Sequence, residues 1–268
     1  MDSKEQLKEV FEALHNKRAL VHHITNYQTV NDSANVVLAI GASPIMADEI
    51  SEVEEMVGIC DALVLNIGTA NERTIASMLR AGKAANAKGI PVVLDPVGIG
   101  ATSFRAQSVT KLMESISFSV IRGNMAEIKT LAGLKARSAG VDSLEEESEG
   151  SYIAFDLAQK LDCVIAITGK IDIVADAKSC YTLHNGDILL RSVTGTGCMS
   201  TSLIGSFLGA SKNPLYSAIA GILTMSISGE IAAKSKGIGT FHTSLLDAIG
   251  NMNLKTIYEK SNISLIKQ

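Results

Sequence analysis

Five short runs, nearly continuous in apolar residues, limit what this chain can fold into. They span residues 19–24, 62–67, 92–95, 118–122 and 164–168, and most are rich in β-branched side chains. A strand with one wet face alternates apolar and polar residues, so runs that stay apolar belong to strands covered on both faces. Stretches of helical spacing separate them, at residues 74–87, 103–113 and 152–161. This alternation predicts an α/β fold, a mostly parallel central sheet covered by helices on both faces.

Residues 171–190 break the rhythm with alternating side chains, and Asn185-Gly186 is a turn signal. An antiparallel hairpin added at one edge of the sheet is expected there. After Gly197 the pattern is helical to the end. The stretch at 215–229 lacks charge, but it is short for a membrane span and is closed by Glu230, so a buried core helix is expected. Residues 137–150, with the run Glu145-Glu146-Glu147, are expected to form a solvated loop or helix cap. With no internal repeat or linker in view, residues 1–268 are expected to form a single domain.

The balance of charges excludes several classes of function. A formal net charge of −4 gives no basic footprint for nucleic acid, and 4% aromatic residues with no Trp leave little for base stacking. Cys60, Cys163, Cys180 and Cys198 show no paired spacing, which argues against a disulfide framework or a zinc site. The charged opening Met1-Asp2-Ser3-Lys4-Glu5-Gln6 leads into an amphipathic helix, so a soluble, cytoplasmic protein without membrane contact is expected.

In an open α/β sheet, ligands sit beyond the carboxyl ends of the strands. Six polar or glycine-rich segments fall at such positions: Thr25-Asn26-Tyr27, Asn66-Ile67-Gly68-Thr69, Asp95-Pro96-Val97-Gly98, Arg122-Gly123-Asn124, Thr168-Gly169-Lys170 and Thr194-Gly195-Thr196-Gly197-Cys198. The last runs into a small-residue helix. Backbone N–H groups of a turn built on Gly195, Thr196 and Gly197, with the positive end of a helix dipole behind them, suit an anion such as phosphate. Cys198 then lies on the first turn, where the helix N-terminus is expected to lower its pKa and make some thiolate available.

Several side chains have two readings. Asp95 suits a Mg2+ site reached through water, or a helix N-cap. Asn124 and Glu127, three apart, could face phosphate and a hydrated Mg2+, or close a capping box. Arg122 could clasp a phosphate oxygen or pair with an acidic neighbour. The Thr168 hydroxyl could donate to a nucleotide phosphate or merely end its strand. Met46 could line an apolar substrate wall or pack in the core, and of His22-His23 only one can face the crevice. Walker and dinucleotide fingerprints are absent near the N-terminus.

The segments His22-His23-Ile24-Thr25-Asn26-Tyr27, Ala42-Ser43-Pro44-Ile45-Met46-Ala47, Leu65-Asn66-Ile67-Gly68-Thr69, Asp95-Pro96-Val97-Gly98, Asn124-Met125-Ala126-Glu127 and Thr194-Gly195-Thr196-Gly197-Cys198-Met199 follow one another in this order. Together they resemble the hydroxyethylthiazole kinase family, a ribokinase-like group, over nearly the whole chain. The resemblance implies a ribokinase-like three-layer sandwich that phosphorylates the alcohol of 4-methyl-5-(2-hydroxyethyl)thiazole with ATP and Mg2+. It implies Met46, Gly195 and Asn26 as thiazole contacts, and Arg122, Thr168, Asn124 and Thr194 on the ATP side. Asp95 and Glu127 are the implied Mg2+-linked carboxylates, and Cys198 the implied catalytic residue. A homotrimer with the thiazole site near a subunit interface is implied as well. The wider ribokinase-like group carries Asp after the turn, and Cys198 in its place matches the thiazole branch. Rival readings are a hydroxymethylpyrimidine kinase, a dehydratase of hydrated nicotinamide nucleotides, and a ligand sensor without turnover.

Overall fold

The structure, a computed structural model, describes residues 3–134 and 143–267. Its strands are β1 (Leu20–Ile24), β2 (Ser43–Ile45), β3 (Ala62–Asn66), β4 (Val92–Asp95), β5 (Val120–Asn124), β6 (Val164–Thr168), β7 (Asp172–Ala175), β8 (Cys180–Leu183) and β9 (Ile263–Lys267). They form one sheet in the order β2-β1-β3-β4-β5-β6-β7-β8-β9. Strands β1 to β6 run parallel, and β7, β8 and β9 pair antiparallel.

Between β1 and β6 the crossovers are helical. Helix α1 (Ser3–Asn16) precedes the sheet, and α2 (Val30–Ala39), α3 (Val53–Ile59), α4 (Glu72–Ala87), α5 (Ser103–Ser115), α6 (Met125–Leu131) and α7 (Ser143–Leu161) join successive strands. The chain then adds α8 (Thr196–Ser211), α9 (Pro214–Ala232), α10 (Ile238–Gly250) and α11 (Leu254–Lys260). The period of two in a strand decides which helices each residue meets. Leu63 and Leu65 pack with α3, α4, α5 and α7, while Ala62 and Val64 pack with α1, α8 and α9. This is the three-layer arrangement predicted from the apolar runs.

Helix α9 is long and apolar enough to cross a membrane, yet 89% of its most apolar window is buried inside the fold. It is the expected core helix. Helix α1 is amphipathic as expected, burying Leu7, Val10, Phe11 and Leu14.

Four expectations need correction, the last only in part. The β7–β8 turn is made by residues 176–179, where the Asp176 carboxylate accepts from the N–H groups of Lys178 and Ser179 at 2.8 and 2.6 Å. Asp closes such a turn as well as Asn-Gly does. Asn185-Gly186 lies beyond β8, and there the Asn185 amide donates to Glu230 and to the Lys260 carbonyl. The hairpin is also not the edge, and the tail is not all helix, because β9 pairs with β8. That run is short, mostly exposed and ends in Lys267, as edge strands often do. Finally, of residues 137–150, those up to 142 lie outside the described residues. From Ser143 on the backbone is already α7, so Glu145–Glu147 lie in its first two turns, at the helix end that was the alternative to a loop. The short edge strand β2 was not foreseen. It holds Pro44, which an edge strand tolerates because it lacks an N–H to pair.

Candidate active site

Parallel register places the polar strand ends side by side. Asn66 pairs with Asp95 across β3 and β4, and Leu94 with Ile121 across β4 and β5, which sets Asp95 level with Arg122. Asn124 pairs with Thr168 one strand further on. Residues that are 27 to 44 positions apart in the chain therefore meet at one edge.

Asp95 is the hub, with no solvent exposure. Its Oδ2 accepts from Asn66 Nδ2 at 2.9 Å and from Thr201 Oγ1 at 2.8 Å, and lies 3.5 Å from Arg122 Nη1. Arg122 also donates to the Thr168 hydroxyl. Burial pushes the Asp95 carboxyl up to about 6, against the pull of Arg122, and the Glu127 charge adds to the rise. Its Oδ1 has no hydrogen-bond partner.

Helix α8 delivers Cys198 to this hub. Gly195, at its N-cap, has φ +85°, the left-handed region that favours glycine. Gly197 is required for a different reason, since a Cβ there would lie 2.6 Å from Arg122 Nη1. The Thr196 hydroxyl donates to the Leu190 carbonyl at 2.9 Å and ties the turn to the preceding short 3₁₀ helix, Ile188–Ser192. Cys198 Sγ accepts from Asn26 Nδ2 at 3.3 Å and from Asn66 Nδ2 at 3.2 Å. Asn26 Nδ2 also donates to Asn66 Oδ1 at 3.0 Å, and Asn66 Oδ1 takes the Gly68 N–H at 2.9 Å.

The sulfur corrects one expectation. Burial raises the Cys198 pKa, and the nearby Asp95 charge raises it further, while hydrogen bonds from Thr29, Asn66 and Asn26 only moderate the shift. The shift is upward, opposite to the expected lowering, so the thiol holds its proton at neutral pH. The other three cysteines are free and buried.

Beside the hub opens a cleft of about 520 Å3, lined by Arg122, Asn124, Thr168, Lys170, Thr196 and Gly197 among others. Asn124 and Glu127 form the capping box at the start of α6: Glu127 N donates to Asn124 Oδ1, and Asn124 N donates to Glu127 Oε2. Glu127 Oε1 also accepts from Gly98 N at 2.9 Å. Thr194 is exposed just ahead of the turn, and Met46 stands half-buried at the β2 edge of the sheet, apart from the hydrogen-bonded set. His22 and His23 are both buried, on backbone carbonyls of Ala47 and Val21.

Asn66 heads one of the six expected segments but had no role of its own in the sequence reading, and Thr201 and Asp172 were not singled out. Thr201 follows Gly197 by one helical turn, so it carried a readable signal. Asp172 is buried on the cleft wall, where it accepts from Gly169 N at 2.9 Å and Ser226 Oγ at 3.1 Å. Burial lifts it to about 6.

The profile of the hydroxyethylthiazole kinase family matches residues 11–255. The chain belongs to that family. It is 49% identical to a hydroxyethylthiazole kinase of Alkaliphilus oremlandii, over 99% of this chain and 100% of that one. It is 52% identical to a Clostridium beijerinckii hydroxyethylthiazole kinase, over 92% of each chain. The solved structure of a hydroxyethylthiazole kinase protein from Pyrococcus horikoshii superposes with a TM-score of 0.91 at 35% identity, covering 98% of this chain and 100% of that one. A ribokinase-like superfamily protein from Enterococcus faecalis shares the fold, with a TM-score of 0.65 at 13% identity over 91% of this chain and 93% of that one. The kinase fold is thus ribokinase-like, and the hub around Cys198 lies in a hydroxyethylthiazole kinase framework.

Proposed function

We propose that this chain transfers the terminal phosphoryl group of ATP to the primary alcohol of 4-methyl-5-(2-hydroxyethyl)thiazole, a thiamine-salvage step. One observation carries the reading. Cys198 stands on the first turn of α8 with two asparagine amides on its sulfur, while Arg122 lies against Gly197 and opens onto the cleft. An alcohol on the asparagine side and a nucleotide in the cleft would meet at the N-terminus of α8.

In this reading Arg122 and Thr168 hold phosphate oxygens, Asn124 and Thr194 flank the nucleotide, and the N–H groups of the 195–197 turn face the transferring group. Asn26, Met46 and Gly195 contact the thiazole. Charge stabilisation and alignment govern phosphoryl transfer, whose transition state is loose, so early removal of the alcohol proton is of minor importance. A neutral thiol suits that demand. Asn26 and Asn66 orient the thiol, and Cys198 positions the alcohol; late in the transfer its sulfur takes up the alcohol proton as its own S–H proton passes to a phosphate oxygen or water.

A magnesium ion fits the residues present. Asp95 Oδ1 is a buried oxygen without a partner, and the Glu127 charge acts on the same carboxylate. Among the described residues no group of three or more His, Cys, Asp and Glu side chains could hold a metal. Water and phosphate oxygens would complete the shell around Asp95 and Glu127, as is usual for this ion. When bound, it would neutralise phosphate charge. We also propose a homotrimer that completes the thiazole side near Met46, for which light scattering gives the mass.

ADP release with Mg2+-ATP and hydroxyethylthiazole, with hydroxymethylpyrimidine in parallel, tests the reading. Thiazole-dependent turnover is expected. Turnover with the pyrimidine alone would make this a pyrimidine kinase, and silence with both would refute the kinase reading.

A further inference from the structure

Asn26 reaches Cys198 from a loop that does not line the nucleotide cleft, and two further loops are tied to it. The first follows β1 and carries Asn26 and Tyr27. The second follows β2 and carries Met46, Ala47 and Asp48. The third follows β3 and carries Gly68 and Thr69. One guanidinium fastens them. Arg73, on the first turn of α4, donates through Nη2 to Asp48 Oδ2 at 2.8 Å and to the Tyr27 hydroxyl at 3.1 Å. Through Nη1 it donates to the Asp48 carbonyl at 3.2 Å and to Asp48 Oδ1 at 3.3 Å. The third loop joins without it, because Tyr27 N donates to Thr69 Oγ1 at 3.1 Å.

The second loop is also held from below. His22 Nε2 lies 2.7 Å from the Ala47 carbonyl. A buried, uncharged imidazole in contact with a carbonyl is its donor, which fixes the tautomer. Residues 46–48 are therefore clamped between a buried histidine and an exposed arginine. An isolated exposed ion pair adds little to stability. Four hydrogen bonds from one planar fork to two loops instead fix a relative position, which a flexible lysine would not reproduce.

We propose that Arg73 is a positioning residue for the acceptor alcohol, holding the Met46 loop against the Asn26 loop so that the substrate wall and the Cys198 donors stay in register. The idea rests on the proposed activity in placing the alcohol beside Asn26. Arg73 itself touches neither the hub nor the nucleotide cleft.

The test compares Arg73→Ala, Arg73→Lys and Asp48→Asn with the unaltered chain. Misplacing a positioned wall by a fraction of an ångström is expected to raise the KM for thiazole on the order of tenfold. The KM for ATP and the melting temperature stay near those of the unaltered chain, and Arg73→Lys recovers part of the loss. Amide hydrogen exchange at residues 26–28 and 46–49 speeds up in both Arg73→Ala and Asp48→Asn. An unchanged thiazole KM, or an equal rise for both substrates, overturns the inference. So does unchanged exchange, whatever the substrate. An unaltered chain inert towards thiazole refutes the proposed activity instead, and the exchange result then decides the role of Arg73 alone.

Discussion

Gly197→Ala isolates what the close approach of Arg122 to α8 contributes. The added Cβ would stand 2.6 Å from Nη1, 2.8 Å from Nη2 and 3.0 Å from Cζ, where ordinary contact begins near 3.4 Å. The guanidinium must retreat by about 0.8 Å. It is held by Asp95 at 3.5 Å and by Thr168, so retreat stretches an ion pair that is nearly closed to solvent. Two opposed effects act on stability. Alanine in place of a helical glycine gains up to about 1 kcal/mol. Complete loss of a buried pair costs roughly 3–5 kcal/mol. Arg122 can lean into the cleft, and Asp95, already titrating near 6, can take up a proton, so the cost stays well below that limit. A net loss of roughly 1–2 kcal/mol is expected from urea unfolding. Catalysis suffers more, because a displaced phosphate donor costs about 10²-fold in rate. Coupled ADP release gives kcat/KM for ATP. An unchanged value in folded Gly197→Ala would refute the assignment of this guanidinium to phosphate.

Asn66→Ala removes two donated hydrogen bonds and leaves the Gly68 N–H and the Asn26 amide without their shared acceptor, so urea unfolding should show a loss of roughly 2–4 kcal/mol, with thiazole turnover falling in the same variant. Cys198→Asp should retain activity in the ADP assay or gain it, because Asn26 and Asn66 already aim N–H groups at that position; a folded, substrate-binding but inactive variant would count against the role given to Cys198. Asp172→Asn should flatten the pH dependence of stability between about 4 and 6. The folded carboxyl titrates near 6 and the unfolded one near 4, so across that window the unfolded chain has released a proton that the folded chain still holds. Stability therefore falls as pH rises, by up to about 3 kcal/mol for this group, and urea melts at pH 4.5 and 6.5 would expose an undiminished slope if the reasoning fails. Asp95 shifts in the same direction, so part of the slope survives in the variant.

The central sheet was legible because its strands are apolar on both faces, a pattern that needs no tertiary information. The periphery was not. Strand β9 is mostly exposed and β2 contains Pro44, so neither carries the buried-strand pattern. The β7–β8 turn was misplaced because Asn-Gly outranks Asp as a local signal, while here Glu230 and the Lys260 carbonyl recruit Asn185 for a longer-range tie. In the site, the carboxyl-end rule found Asn26, Asp95 and Thr168, which follow or end a strand, Arg122 within the last residues of β5, and the segment that begins at Asn66. The glycine-rich turn found Cys198 on the first turn of α8. Arg73 escaped notice because its partners lie 25 and 46 residues away and nothing local marks it. The rise in the Cys198 pKa was hidden for a similar reason. A helix N-terminus is visible in sequence, but the burial that opposes it is a property of packing.

The hydrogen bonds around Asp95 explain why burial and function coexist here. An unpartnered buried carboxylate is costly, and this one has Arg122, Asn66 and Thr201 on a single oxygen while the other stays open. The same Asn66 amide donates to Cys198, so one side chain bridges the carboxylate whose charge burdens the thiol and the sulfur itself. A thiol at position 198 tolerates this neighbour because it is neutral. A carboxylate there would face Asp95 as a second negative charge and would need the two asparagine amides, or a cation between the carboxylates, to remain ionised. The donors surrounding Cys198 are thus those that a carboxylate would also need, and the thiol's neutrality lets the site keep them without adding charge beside Asp95.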